Sequence, residues 1–366
     1  MRTDALDYHL PDELIATQAA EPRDSARLML IRRESQTVEH HHVRDLPALG
    51  LFDLGDVMLV NQTRVLPAQL QGVRQATGGR VTGLYVNADS EKRWRIMLES
   101  RGSLKPGESI LLTSETDDDE PAELLLIESQ GNGEWVAQLQ GDHDTAAVLS
   151  RLGRTPLPPY IRKKRKKLGV EEITTDDQTR FNTVYAQDPG SVAAPTAGLH
   201  FTPALLDTLD QIGVQRAAVD LHVGLGTFAP VRSEQLDDHA MHRESYTVPR
   251  RTLDVIARAR ANGNRLFVVG TTTVRALESL PDDAIAPGAY PDGITSSTNL
   301  FIRPDADFTF RYTDRLMTNF HLPQSTLLAL VASLPGIGLD RLMEIYQTAV
   351  AQEYRFYSYG DAMLIV

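Results

Sequence analysis

Residues 192–231, VAAPTAGLHFTPALLDTLDQIGVQRAAVDLHVGLGTFAPV, constrain the fold more than any other stretch of the chain. Two glycine-bearing polar patches, PTAGLHF and LHVGLGTF, bracket an apolar-periodic run. Thr202 is placed to cap a helix there, Pro203 suits its first turn and Gly213 its stop. Leu205, Leu206, Leu209 and Ile212 then share one face. Val214 to Val223 reads as a strand. The result is loop, helix, strand, loop, with His200 in one loop and His222 in the other. Both loops can lie at one end of a sheet, where open α/β proteins place ligands. The plainer alternative is two ordinary connections with hydrogen-bonded core histidines.

Polar side chains recur at expected strand exits through the second half, at 198–200, 222–228, 270–275 and 318–321. That repetition suits a single pocket. LFVVG reads as a buried strand and TTTVRALESL as the helix after it. Thr271, Thr272 and Thr273 offer hydroxyls beside free backbone N–H groups, a place for an anion. Arg275 can reinforce that anion, with Glu278 packed against it. Asn319 and His321 leave the strand RLMTNFHLP. The turn SYGD puts Asp361 among Tyr354, Phe356, Tyr357 and Tyr359, where a base can stack or a core can form. In NQTRVLP, Asn61, Thr63 and Arg64 suit either a carboxylate site or a polar hinge between domains. His239, His242 and Glu244 raise a metal site, with both histidines on one helix face, but no third ligand is in sight. A substrate-facing polar loop is preferred there.

From 66 to about 150 the texture changes. Short alternating runs (QLQGV, RVTGLYV, RWRIMLES, SILLT, AELLLIE, EWVAQLQ) are separated by glycine and acidic turns. They predict a small antiparallel β-barrel with Trp94 and Trp135 in its core. ETDDDEPAE, with six acids and no base, reads as a solvated loop. The organisation expected is an α/β domain from 1–65 and 152–366, with a barrel inserted at 66–151. Residues 151–167 then carry eight bases and no acid. PLPPY there is stiff and extended, and Arg162, Lys163, Lys164, Arg165, Lys166 and Lys167 follow it. A chain of net charge −12 can still hold a polyanion at such a segment. A solvated charged loop is the alternative.

No cysteine is present, which excludes disulfides, thiolate nucleophiles and cysteine-bound metals. The N-terminal residues lack an apolar signal region. LLALVASL at 327–334 is too short to span a bilayer.

Several runs carry a resemblance: LVNQTRVLPAQL, TPLPPYI, VAAPTAGLHFT, LHVGLGTFAPV, DHAMHRESY, VGTTTVRALES, TNFHLPQSTLLALV and YRFYSYGDAMLI. In this order, across nearly the whole chain, they resemble the S-adenosylmethionine:tRNA ribosyltransferase-isomerases of queuosine biosynthesis. The resemblance implies a mixed α/β, distorted barrel-like catalytic domain with an inserted antiparallel β-barrel. It implies transfer and isomerisation of the ribosyl group of S-adenosylmethionine onto 7-aminomethyl-7-deazaguanine at the tRNA wobble position. The product is epoxyqueuosine, with adenine and methionine released. S-adenosylmethionine is then a consumed substrate, and no metal or other cofactor is implied. A cytoplasmic monomer is expected. The motif at 59–70 departs from the family pattern at Gln62 and Gln69.

That chemistry states what the pocket must supply. The sulfonium acidifies the neighbouring ribose CH₂, so a neutral base must take a proton there. Adenine needs a proton or hydrogen bond as it leaves. The attacking amine must be uncharged, although its free pKa is near ~10, as for Lys. Histidine suits the proton roles, so His200, His222 and His321 are the acid–base candidates, with no one role assigned to each. Thr271–Thr273 and Arg275 are expected at the methionine carboxylate or a phosphate, with Asn61, Arg64, Asn319 and Asp361 as further contacts. Phe201, Phe228 and Tyr359 are expected to stack on a base. Single-stranded RNA recognition splays bases out in this way. Two rivals remain. A base-exchanging tRNA transglycosylase needs an Asp nucleophile and commonly a cysteine-bearing zinc site. A non-catalytic RNA-binding module would leave the polar strand exits unexplained.

Overall fold

Val57–Asn61, Leu266–Val269 and Arg315–Asn319 are buried at every position, as strands covered on both faces are. The computed structural model describes residues 1–366 except 90–91, 115–118, 225–230 and 232. In chain order the strands are β1 (Arg27–Arg32), β2 (Thr37–His42), β3 (Val57–Asn61), β4 (Arg64–Val65), β5 (Gln69–Arg74) and β6 (Arg80–Ala88). Then come β7 (Arg93–Ser100), β8 (Ser109–Thr113), β9 (Ala122–Gly131), β10 (Glu134–Leu139), β11 (Pro189–Ser191) and β12 (Gln215–Leu221). The last are β13 (Glu244–Val248), β14 (Leu266–Val269), β15 (Ile294–Thr298), β16 (Arg315–Asn319) and β17 (Ala362–Ile365). The helices are α1 (Thr145–Leu152), α2 (Pro159–Lys167), α3 (Asp177–Arg180), α4 (Pro203–Gln211), α5 (Arg250–Ala261), α6 (Thr271–Glu278), α7 (Thr326–Ala332) and α8 (Leu339–Ala351).

Two compact units divide the chain. The first takes Met1–Arg64, Asn182–Asp188 and Ala194–Val366, and the second Val65–Phe181 with Pro189–Ala193. In the first, nine strands pair in the order β15-β13-β12-β3-β14-β16-β17-β1-β2. The block β12-β3-β14-β16 is parallel throughout. β17 runs antiparallel to β16, so Ala362 stands opposite Asn319.

The organising stretch folds much as its pattern requires. Thr202 accepts the Leu205 N–H at 3.2 Å and caps α4, and Gly213 supplies the positive φ (+90°) that ends it. Leu205, Leu206 and Leu209 are buried against β3 and β14 residues such as Met58 and Phe267. Ile212 was expected on that face, but it is the C-cap residue and 37% exposed.

In the second unit β10-β7-β6-β5-β8-β9 close into a barrel. Trp94 and Trp135 are buried in its core. Val148, Leu149 and Leu152 of α1 join that core, and the Trp94 indole donates to Thr145 Oγ1 at 3.0 Å. The unit runs on to Phe181, beyond the expected end at 151: Arg154 pairs with Gln69 of β5, and Arg162 of the next helix donates to the Gln69 side chain. The expected extended basic arm is also different. Pro159 takes the first helical position and residues 159–167 form α2. Residues 115–118 of the acidic turn lie outside the described residues.

Candidate active site

Parallel strands all present their C-terminal ends to one edge. β12 ends at Leu221, β3 at Asn61, β14 at Val269 and β16 at Asn319, so the residues after each are neighbours. The turn before β17 reaches the same edge, since Ala362 pairs with Asn319. The expected exit at 198–200 is not a strand exit. It is a 3₁₀ turn, Thr196–His200, which joins this edge where His200 meets Asn319. The fourth strand exit is that of β3.

His200 is 4% exposed. Its Nε2 lies 3.2 Å from Asn319 Nδ2. The same amide nitrogen faces the carbonyls of Tyr357 at 3.1 Å and Asp361 at 3.5 Å. Turning the amide over would set its oxygen against two carbonyl oxygens, so Nδ2 is the donor and His200 Nε2 the acceptor. The proton of the neutral ring therefore sits on Nδ1. Among the described residues nothing is bonded to Nδ1. Tyr357, at φ +72°, holds its carbonyl onto Asn319 from a left-handed conformation rare for a bulky residue.

His321 is placed differently. Its Nε2 is 3.1 Å from Thr318 Oγ1 and its Nδ1 3.4 Å from Tyr346 Oη. The Tyr346 hydroxyl also accepts its N–H at 2.9 Å, and Tyr8 donates to its carbonyl. With Tyr346 packed on Phe320 and Phe356, His321 is a fixed part of an aromatic core rather than a group with an open nitrogen. His222 is exposed at the β12 exit, and its N–H continues the ladder to Ser245 O at 3.0 Å.

Burial pushes His200 down to about 4 and His321 down to about 3, so both are neutral at neutral pH. Below the ordinary value of 6.5 the unfolded chain gains protons that the folded chain refuses. Stability is expected to be complete above that pH and to fall as pH drops through 6.5 towards the folded values of about 4 and 3. Each unit of separation is about 1.4 kcal/mol. Chemical denaturation across this range checks it. A flat profile down to pH 4, the folded value for His200, would contradict the burial argument.

At the β14 exit the helix α6 begins on Gly270 at φ +87°. Thr273 Oγ1 is committed to Val269 O at 2.6 Å, while Asn61 Nδ2 approaches Thr272 Oγ1 at 3.5 Å. Asn61 otherwise clasps the backbone. It donates to Leu221 O at 3.0 Å and accepts the N–H groups of Leu221 at 3.1 Å and Thr63 at 3.2 Å. It splices two strand exits, leaving little for a ligand. Arg275 forms a buried ion pair with Glu244, whose other oxygen accepts Gly224 N–H at 3.0 Å. Glu278, expected beside Arg275, instead holds the N–H groups of Arg311 and Tyr312 and the Thr313 hydroxyl. Among the described residues Arg275 Nη2 has no partner, so one donor of a buried guanidinium is open to an anion.

Other expected residues are spoken for. Phe201 is fully buried in the hydrophobic core, so no base stacks on it in this structure. Tyr359 is 2% exposed. Asp361 is filled by Arg355, through its side chain and N–H, and by the Arg27 N–H, so it ties the turn. Arg64 donates to the carbonyls of Gln187 at 3.1 Å and Ala186 at 2.9 Å. Phe228 lies outside the described residues. His239 and His242 share no helix face, because only Leu236–Asp238 is helical there and Glu244 turns inward to Arg275. Among the described residues no group of His, Asp and Glu could hold a metal. In α2, Arg165 is buried against Asp177 at 2.6 Å and unable to meet a phosphate. Arg162 leans on Gln69 and Glu172, and Lys163, Lys166 and Lys167 are exposed.

Sequence reasoning missed Arg23, which donates to Asn182 O at 2.7 Å and neighbours Tyr185 and Tyr359. It also missed Asp220, to which Gln62 donates at 3.0 Å. The departure at Gln62 was the one signal available.

Comparison with known proteins gives a consistent result. A model of the family described as queuosine biosynthesis protein matches residues 3–365. An S-adenosylmethionine:tRNA ribosyltransferase-isomerase of Thermus thermophilus is 45% identical over 99% of both chains. One from Gloeobacter violaceus is 43% identical over 100% of this chain and 96% of its own. The crystal structure of a Thermotoga maritima S-adenosylmethionine tRNA ribosyltransferase covers 99% of this chain and 100% of its own, at 31% identity and a TM-score of 0.52.

Proposed function

The chain belongs to the queuosine biosynthesis protein family, and from that premise we propose that it performs the reaction for which its full-length relatives are named. It is a transferase that uses S-adenosylmethionine as a substrate and acts on tRNA. The ribosyl group goes to 7-aminomethyl-7-deazaguanine at the wobble position and rearranges to the epoxide-bearing ring of epoxyqueuosine. Adenine and methionine leave. S-adenosylmethionine is consumed, and no metal or redox cofactor enters. We place the reaction in the cytoplasm and in a monomer. No helix of the described residues is long and apolar enough to cross a membrane.

One observation carries this reading. The exits of β12, β3, β14 and β16 lie side by side, and the neutral buried imidazole of His200 meets Asn319 at the last of them. His200 presents Nδ1–H. A neutral imidazole whose other nitrogen is already engaged donates a hydrogen bond better than it abstracts a proton. Its role is to stabilise the departing adenine. His222 is exposed, and its ring makes no hydrogen bond among the described residues, so it is the group to remove the ribose proton beside the sulfonium. The open Nη2 of Arg275 suits the methionine carboxylate. His321 holds the edge together. Lys163, Lys166 and Lys167 supply charge for RNA phosphates.

Labelled S-adenosylmethionine separates this from a binding module. Adenine release that requires tRNA carrying the aminomethyl base is expected. Retention of that tRNA without adenine release would leave only the module.

A further inference from the structure

Asp220 is an acid that the mechanism above does not use. It stands on β12, two residues before His222, so strand alternation puts both on one face. Gln62, at the neighbouring β3 exit, donates to Asp220 Oδ2 at 3.0 Å. Oδ1 is buried and has no partner among the described residues. Among the described residues it is the one buried carboxylate oxygen in that condition. Other buried acids of this unit are filled: Asp361 takes Arg355 and two backbone N–H groups, and Glu278 two N–H groups and a hydroxyl. An unfilled acceptor at the catalytic edge calls for a donor from outside the protein.

Gln62, though not Asp220 itself, also lines a cavity of about 290 Å³, shared with Met58, Val60, Tyr185, Gln187 and Arg251. That is near the lower end of the roughly 300–1,000 Å³ usual for small-molecule pockets. We propose that Asp220, held by Gln62, takes the proton from the primary ammonium group of the acceptor substrate and so frees the amine that attacks. This rests on the reading that the acceptor is an aminomethyl base. One N–H bond breaks and one O–H bond forms at Oδ1, and the nitrogen keeps its electron pair. In a buried site the neutral amine and carboxylic acid replace two charges that burial disfavours. Four influences act on this carboxyl besides Gln62. Burial and Asp188 push its pKa up, while His222 and Arg251 pull it down. Burial is the largest, so the direction is upward, towards the range of a working base.

The test follows tRNA-dependent adenine release against pH in the wild type, Asp220→Asn and Gln62→Met. Asp220→Asn is expected to run about 100-fold or more slower at neutral pH, the usual size of a lost general base. Its rate should climb at alkaline pH, where the amine sheds its proton unaided. Gln62→Met removes the donor that favours the charged carboxylate, so its acid limb should move to higher pH. If Asp220→Asn does not fold, the Gln62→Met profile decides. An Asp220→Asn profile parallel to wild type, or an unmoved acid limb in Gln62→Met, would overturn the proposal. A wild type that releases no adenine would overturn the functional reading beneath it.

Discussion

Replacing His200 by leucine is expected to slow tRNA-dependent adenine release about 100–1,000-fold, the loss usual when one preorganised donor is taken from a transition state. Leucine fills the space but carries no N–H. Binding of S-adenosylmethionine should change far less, because the donor matters most as charge develops on adenine. Asn319→Asp tests the cause. A carboxylate there would accept from Nε2–H, so the neutral ring would carry its proton on Nε2 instead of Nδ1, and the His200 pKa would rise from about 4. The rate should fall and its pH dependence should change. His321→Gln should behave otherwise, losing stability through the Thr318 and Tyr346 contacts while keeping the pH profile. Equal rate losses for His200 and His321 variants, with unchanged folding, would contradict this division of roles.

The second large effect concerns stability. Glu244→Ala should cost about 3–5 kcal/mol, as when one member of a buried ion pair is removed. Both side chains are nearly inaccessible, at 3% for Arg275 and 2% for Glu244, so the orphaned guanidinium cannot reach water. The Gly224 N–H loses its acceptor as well. Pairing Glu244→Leu with Arg275→Met should recover much of that stability, since an apolar pair of similar volume often replaces a buried ion pair at little cost. Activity should not return with it, because the open Nη2 donor is gone. Urea denaturation of Glu244→Ala and of the double variant checks this. A Glu244→Ala protein within about 1 kcal/mol of wild type, the range of an exposed pair, would contradict it.

Local chemistry made some of this architecture legible. The Thr202 cap, the leucine stripe of α4 and the alternating runs of the barrel are short-range signals, and the structure has them all. What failed was burial decided by remote partners. Arg165 reads as one base in a run, but it is buried because Asp177 on α3 receives it. Asn61 looks like a ligand-binding amide, yet its partner is the Leu221 backbone on another strand. Proline suggested an extended arm at PLPPY, while Pro159 at the first helical position starts α2 instead. The polar strand exits were recognisable one at a time. Their adjacency comes from a pairing order, β12-β3-β14-β16, that no local pattern encodes.

If these exits hold the sulfonium substrate, a crystal structure with S-adenosylhomocysteine, which lacks the reactive sulfonium, should show it there. Adenine is expected within hydrogen-bonding distance of His200 Nδ1 and the amino-acid carboxylate on Arg275. Ligand bound instead at the opposite edge, in the cavity of about 800 Å³ lined by Arg33, Arg265 and Arg315, would contradict it.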